Sequence, residues 1–404
     1  MIRRTVDVVV VGGGPAGLAA AARLARAGID VEVLDRESQL GGIPRHCAHL
    51  GFGVRDLHRV LTGPAYARHQ VDAAGRAGAR LRPGVTVTGW AGERTLTTTS
   101  PDGLEQLTAR AVVLATGARE RPRSARLVPG GRPDGVYTTG QLQQAVHLYS
   151  QAAGTRAVIV GAEHVSYSAA TTLHHAGVRV VAMVTDQPRH QSYAAFDLGA
   201  RLRYRFPLLT NTAGLEIVGR DRVEGIRIGT RLLQCDTVVF TGDWIPDHEL
   251  ARHGGIALDP GTRGPAVDTA LRVDRPGLFA AGNLLHPVET ADVAALDGRF
   301  VADSVLRHLA DDTPSTPRPA IRVEPPLLWI APNLVGPRRP PRDRFLLRTQ
   351  ESLSRPTLMV RQAGRLLDRQ HVRRTVQANR PVHLGAGWLD RVDPAAGAIT
   401  IALG

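Results

Sequence analysis

Residues 5–35 commit the chain to one supersecondary unit. Thr5 to Val11 is an apolar, largely β-branched run ending at Gly12-Gly13-Gly14, as a buried strand ends at a turn. Leu18 to Ala27 is an alanine-rich helix stopped by Gly28, and Asp30 to Leu34 is the next strand. This order predicts a right-handed βαβ crossover with parallel strands. Gly12, Gly14 and Gly17 stand in G-x-G-x-x-G spacing, with Pro15 and Ala16 between the last two. The first glycine permits a tight turn, the second lets a pyrophosphate reach the backbone, and the third lets helix and sheet touch. Unpaired N–H groups at the helix start favour the phosphates. Asp35 closes the second strand, where a carboxylate accepts from ribose hydroxyls, and Arg36 follows it. A dinucleotide site is expected; the alternative is a glycine-rich turn with no ligand.

The pattern then returns. Arg156 to Val160, a helix from Val165 to His175, Gly177, and Arg179 to Val184 form a second βαβ unit. Thr237 to Thr241 mirrors the strand Ala111 to Ala115, and Leu278 to Ala281 precedes a helix from Ala291 to Leu309. The expected fold is α/β, with two Rossmann-like three-layer dinucleotide-binding domains, one inserted in the other. Residues 1–150 and 246–312 would make the first domain and 151–245 the inserted one. From Thr313 to Gly404 a small β-rich module is expected: Pro314, Pro317, Pro319, Pro325, Pro326, Pro332, Pro337, Pro340 and Pro341 exclude a long helix. Phe345-Leu346-Leu347, Thr357 to Val360 and Ala398 to Ala402 would be its strands.

In the second unit the glycine pattern reads Gly161, Glu163, Ser166. Glu163 occupies the slot where backbone should approach a pyrophosphate, and its charge would repel one. Asp186 suits a ribose and Arg189 a 2′-phosphate. The expectation is a retained fold without its ligand, NAD(P) binding being the alternative.

Composition removes several classes. Cys47 and Cys235 are too few for a disulfide framework, a cysteine-ligated zinc or an iron–sulfur cluster, and a reducing cytoplasmic setting is expected. No apolar run reaches the length of about 18 residues that spans a bilayer. Arg3 and Arg4 precede an apolar stretch, but it runs into the glycine turn rather than a cleavage signal. The net charge of +13 is carried by arginine alone, since the chain has no lysine. No aromatic–basic platform accompanies it, so nucleic-acid binding is not expected. Residues 313–404 hold 15 arginines against 6 acidic residues, either a solvated face or a surface for an acidic partner.

Val112-Val113-Leu114-Ala115-Thr116-Gly117-Ala118 and Gly277-Leu278-Phe279-Ala280-Ala281-Gly282-Asn283 resemble the second and third flavin motifs of the two-dinucleotide-domain flavoproteins, the pyridine nucleotide-disulfide oxidoreductase type. The resemblance covers about residues 5–310 and implies FAD, bound at Ala115, Thr116, Gly117, Gly282 and Asn283 as well as at the first turn. Those flavoproteins usually have Asp at position 283; Asn283 brings hydrogen bonds but no charge. Leu40 to Gly53, containing Gly42-Ile43, with Leu61 to Ala67 and Gly161 to Ser166, is similar to the larger flavoprotein subunits of hydrogen cyanide synthase and of opine and amino-acid dehydrogenases. That implies a heteromeric enzyme oxidising an amine or amino acid and passing electrons to a partner oxidoreductase or electron-transfer subunit. Some of those relatives carry a cysteine-rich cluster module, which this chain lacks. Disulfide reductases of the wider group carry C-x4-C here, where this chain has Pro44 and His49.

Cys47, His46 and His49 are the candidates for chemistry beside the flavin. A neighbouring imidazolium lowers a thiol pKa, and His49 suits a base at neutral pH. The alternative for Cys47 is a small buried hydrophobe. His46 and His49 could share a helix face, but no third ligand is visible and no metal is expected. Pro287 follows the third motif, and Thr290, Ala291 and Asp292 would open the helix facing the flavin's pyrimidine end, with Asp292 near the substrate or only complementing the helix dipole. Arg119 is either a pyrophosphate contact or a surface residue. Two other functions stay open: an NAD(P)H-dependent flavoprotein reductase with one redox thiol, and a non-catalytic docking subunit that holds FAD.

Overall fold

Val8, Val9 and Val10 are wholly buried, and such a run is stable only as an inner strand covered on both faces. Each such valine contributes roughly 1.5–3 kcal/mol of burial. A computed structural model describes residues 2–287, 289–310, 318–378 and 380–404. In it the Ile2–Val11 strand pairs in parallel with Val31–Asp35 on one side and Gly103–Leu114 on the other. Arg80–Pro83 extends the sheet beyond Val31–Asp35, and Leu278–Ala280 extends it beyond Gly103–Leu114, both in parallel. The helices Pro15–Arg26 and Ala291–Ala310 pack on this sheet and on each other, sharing its core.

A second parallel sheet runs in the order Val136–Thr138, Thr237–Phe240, Arg156–Val160, Arg179–Val184, Leu208–Leu209. It has its own apolar cores, one around Tyr167 and Leu173 and one around Phe240 and Ile226. The chain enters and leaves it through Ala118–Glu120 and Trp244–Pro246, which pair antiparallel. The α/β class with parallel sheets therefore holds.

Residues 320–404 build two small sheets around Trp388, Phe345 and Leu347. One contains Leu327–Ala331, Arg344–Thr349 and Val382–Gly385, and the other Ile321–Val323, Ile399–Leu403, Thr357–Gln362 and Arg365–His371. The boundary expected at Thr313, with Pro314 and Pro317, lies outside the described residues.

Two local expectations need correction. The Ala111–Ala115 strand is the end of a longer one, Gly103–Leu114, whose first half pairs antiparallel with the Thr95–Ser100 strand of an excursion hairpin. After Gly42 there is only a 3-10 turn, Ile43–His46, so His46 and His49 do not share a helix face. Cys47, at φ −95° and ψ 82°, leaves the helical region and ends the turn.

Among the described residues no helix is long and apolar enough to cross a membrane.

Candidate flavin site

The opening turn is held by two backbone hydrogen bonds: Gly12 N–H donates to Leu34 O (2.8 Å) and Ala115 N–H to Val11 O (2.8 Å). Gly12 has φ +110°, and a Cβ there would overlap the Ala115 carbonyl oxygen. A Cβ on Gly17 would overlap the Gly12 carbonyl oxygen. Gly14 is different, because the nearest atom to a Cβ there would be Gly42 Cα at 4.0 Å. The space in front of Gly14 is open. Helix Pro15–Arg26 has no side-chain cap and no acidic residue in its first turn, so its leading N–H groups are free for an anion. Asp35 braces the same turn, accepting from Gly13 N (2.6 Å) and Glu37 N (2.9 Å). Arg36 is exposed and lies 3.6 Å from the Asp247 carboxylate.

Three remote segments meet this turn. Gly41 N–H donates to Gly13 O (2.8 Å), and a Cβ on Gly42 would lie 2.9 Å from Gly14 Cα. Ile43, next in the chain, is 45% exposed. Ala115 lies against Gly12; Thr116 Oγ1 donates to Asp247 O (2.7 Å), and Gly117 O accepts from Asp247 N (2.9 Å). Gly282 (φ +72°) abuts Ala16, a Cβ there falling 2.7 Å from the alanine methyl. Asn283 Nδ2 donates to Glu289 O (3.0 Å), while its Oδ1 is buried without a hydrogen-bond partner. A buried acceptor without a donor costs free energy unless a ligand supplies one. The open cradle at Gly14 and the orphaned Asn283 oxygen, brought together through Ala16, fit a long dinucleotide with hydroxyl donors, as FAD is.

The reactive side chains fare differently. Cys47 is buried, its Sγ 3.4 Å from Ile43 O and 3.3 Å from Gln143 Oε1. Burial, with the Glu120 carboxylate nearby, pushes the thiol up to about 12. Burial and Arg45 hold the His46 imidazole down at about 4, so it is neutral and activates no thiolate. Of the two readings of Cys47, burial favours the small buried hydrophobe over the nucleophile, desolvation outweighing any help from a neighbouring histidine. His49 is half-buried, with Nδ1 2.9 Å from Leu50 O and its ring 5.3 Å from that of Phe52. Burial lowers its pKa.

Helix Ala291–Ala310 begins at Ala291, and the exposed Thr290 before it accepts from Arg55 Nη1 (2.9 Å). Asp292 is buried and accepts from two backbone amides, Gly53 N (2.8 Å) and Arg55 N (3.0 Å). It thereby pins the loop after the 3-10 turn. Arg119 pairs with Glu249 and lies 3.6 Å from Asp247, at the junction between the two parallel-sheet units.

Sequence reasoning missed a set of contacts beside Asn283. Arg344, Leu346 and Arg348 alternate with the core residues Phe345 and Leu347 and so share the opposite face of their strand. Arg348, nearly fully buried, donates to Glu289 (2.7 Å). Arg342 donates to the buried Asp297 (2.6 Å), which also meets His286 Nε2 (2.6 Å). Arg342 and Arg348 thus tie Asp297 and Glu289 to the C-terminal sheets. Period-two alternation of arginine with apolar residues was the available signal.

Comparison with known proteins agrees with this geometry. The family model described as pyridine nucleotide-disulphide oxidoreductase matches residues 6–298. The chain is 27% identical over 338 residues to the A subunit of opine oxidase from Agrobacterium tumefaciens (strain Ach5), the match covering 75% of this chain and 66% of that protein. It therefore spans just under two thirds of that relative's length. It is 26% identical over 353 residues to the soluble pyridine nucleotide transhydrogenase of Pseudomonas entomophila (strain L48), covering 76% of this chain and 73% of that one. Thioredoxin reductase of T. acidophilum superposes with a TM-score of 0.64 at 25% identity, covering 76% of this chain and all of that one. With the glycine cradle, the Asn283 turn and the matched residues 6–298 in agreement, the chain belongs to the pyridine nucleotide-disulphide oxidoreductase family and is an FAD-dependent oxidoreductase.

Proposed function

We propose that this chain is the flavin-carrying subunit of a heteromeric dehydrogenase for an amine or amino acid of the opine type, with electrons leaving to a partner chain. The observation that carries this reading is the state of Cys47. Its thiol is buried and strongly disfavoured as thiolate, and the other cysteine, Cys235, lies in a different apolar core. A relay through a cysteine pair is then unworkable, and a donor must meet the flavin directly. The likeness to a protein named as a subunit of an opine oxidase supports the substrate class and the partner.

Bound FAD supplies two-electron chemistry, taking a hydride from a C–H donor. The protein's part begins at Gly12, Gly14 and Gly17, where the backbone would hold the diphosphate against Pro15 and Ala16. Asp35 would take the ribose, and Asn283 Oδ1 a hydroxyl. The N–H groups that open helix Ala291–Ala310 would stabilise negative charge at the pyrimidine end. His49 would be the base: with Nδ1–H donating to Leu50 O, its lone pair is on Nε2, and burial keeps it neutral. Residues 1–150 with 246–312 would form the flavin domain, and 313–404 a module bracing it.

The test is anaerobic reduction of the FAD-loaded chain by amino acids and secondary-amine dicarboxylates, alone and with the proteins encoded beside it. Substrate bleaching of the flavin, with turnover only when a neighbouring protein is present, is expected. Complete oxidation by the isolated chain with oxygen, or indifference to every amine with and without those partners, would overturn the reading.

A further inference from the structure

The two βαβ units carry the same backbone hydrogen bonds at their turns. Gly161 N–H donates to Val184 O (2.8 Å) and Thr241 N–H to Val160 O (2.9 Å), as Gly12 and Ala115 do in the first unit. Glu163 therefore stands where Gly14 stands, and Thr241 where Ala115 stands. The change is chemical. Glu163 Oε2 accepts from Ser166 Oγ (2.8 Å) and from Thr241 Oγ1 (2.8 Å), and those hydroxyls are 2.7 Å apart. The carboxylate lies over both glycines that frame the turn: a Cβ on Gly161 would come within 2.6 Å of Oε2, and one on Gly242 within 2.5 Å of Oε1.

The turn is also covered from outside. Gln191 N–H donates to Ala162 O (2.9 Å), and Ser192 Oγ meets His164 Nδ1 (3.1 Å) at the start of helix His164–His175. Gln191 and Ser192 are buried, and the Phe196 ring lies 4.8 Å from that of His164. Asp186 and Arg189 are exposed. In the first unit the matching bond, Gly41 N–H to Gly13 O (2.8 Å), brings the side-chain-free Gly42 up to Gly14, so backbone rather than side chains stands there.

We propose that Glu163 is a built-in anion that fills the second unit's phosphate cradle, so that this chain takes neither NADH nor NADPH there although its family uses them. The carboxylate takes up the hydroxyl donors, and its charge opposes a diphosphate at the same place. The unit keeps its fold because Glu163 satisfies Ser166 and Thr241 from within. The inference is independent of the substrate reading: it concerns only what the second unit accepts.

Calorimetric titration of the FAD-loaded chain with NADH, NADPH and ADP-ribose tests it, alongside anaerobic mixing with both reduced nucleotides. The native chain should show no saturable binding up to about 1 mM, the weak limit of a dinucleotide site, and no flavin bleaching. Glu163→Gly, which opens the turn without disturbing Gly161, should bind ADP-ribose at least tenfold more tightly than the native chain. Glu163→Gln keeps the bulk but removes the charge and should gain only part of that affinity. Retained flavin and an unchanged melting temperature report that the variants fold. Micromolar binding of NADH or NADPH by the native chain would overturn the proposal. So would failure of both Glu163→Gly and Glu163→Gly with Ser192→Gly to gain any affinity, because the carboxylate would then not be what fills the cradle.

Discussion

The Cys47 thiol meets the side-chain oxygen of Gln143 at 3.3 Å, across 96 residues of sequence. Burial, with Glu120 beside it, outweighs the lowering effect of that contact and keeps the sulfur a thiol rather than a nucleophile. With the thiol near 12 instead of 9.0, the thiolate fraction at pH 8 falls by about a thousandfold. Native protein should therefore react with iodoacetamide at Cys47 about a thousandfold more slowly than urea-unfolded protein, as peptide mass analysis would measure. Cys47→Ser should leave flavin reduction by substrate within about twofold, and loss of reduction would restore the thiol to the mechanism.

Gly14 and Gly17 separate binding from folding. Gly14→Ala places a methyl in open space, so melting of the flavin-free protein should hardly change. That methyl enters the diphosphate's approach, and FAD affinity should fall about tenfold or more, ~1.4 kcal/mol. Gly17→Ala drives a methyl into the Gly12 carbonyl and should destabilise the flavin-free fold by about 1–3 kcal/mol. Denaturant melts and flavin titration of both variants distinguish the two outcomes.

If His49 is the base proposed above, it sets the acid limb of activity. A base acts only when neutral, and burial lowers the His49 pKa, so kcat/KM should hold below the ordinary imidazole value of about 6.5 and then fall with acid. His49→Gln should remove that limb and reduce kcat/KM by about 10²–10⁴-fold. An unchanged acid limb in His49→Gln would assign the base elsewhere.

Glu289 and Arg348 bridge the flavin side and the C-terminal sheets. Glu289→Gln leaves the buried guanidinium without its counter-charge and should cost about 3–5 kcal/mol. The double variant Glu289→Gln with Arg348→Met removes both charges and should recover much of it. Urea unfolding followed by tryptophan fluorescence reads the change, since Arg348 lies over the Trp329 ring, 5.3 Å from its centre.

What could be read before the fold was seen follows from locality. Arg156–Val160 and Arg179–Val184 have the limits expected of them, because inner parallel strands are uninterrupted β-branched runs and glycine ends the helix between them. The first cradle was legible through its glycine spacing, although only Gly17 meets an atom of its own turn, the Gly12 carbonyl, while Gly12 answers to the remote Ala115. For Cys47 the sequence left two readings open, because what raises its pKa is burial and Glu120, which the fold brings from far along the chain. The loop-holding contacts of Asp292 were not legible either, because its partners, the amides of Gly53 and Arg55, lie more than 230 residues away. The excursion hairpin escaped notice because Thr95–Ser100 is mostly threonine, and its pairing rather than its hydropathy makes it a strand.

Glu32 lies wholly buried beneath the guanidinium groups of Arg4, Arg80 and Arg82, and Arg4 and Arg82 also reach Glu105. Burial penalises the charge on Arg4, but Glu32 outweighs it and raises the Arg4 pKa. In a chain whose side-chain cations are guanidinium or imidazolium, alkali cannot loosen this clamp in the range where ammonium groups would let go. Unfolding in base must then begin elsewhere, at phenols such as Tyr66 and Tyr167, whose ionisation burial strongly opposes.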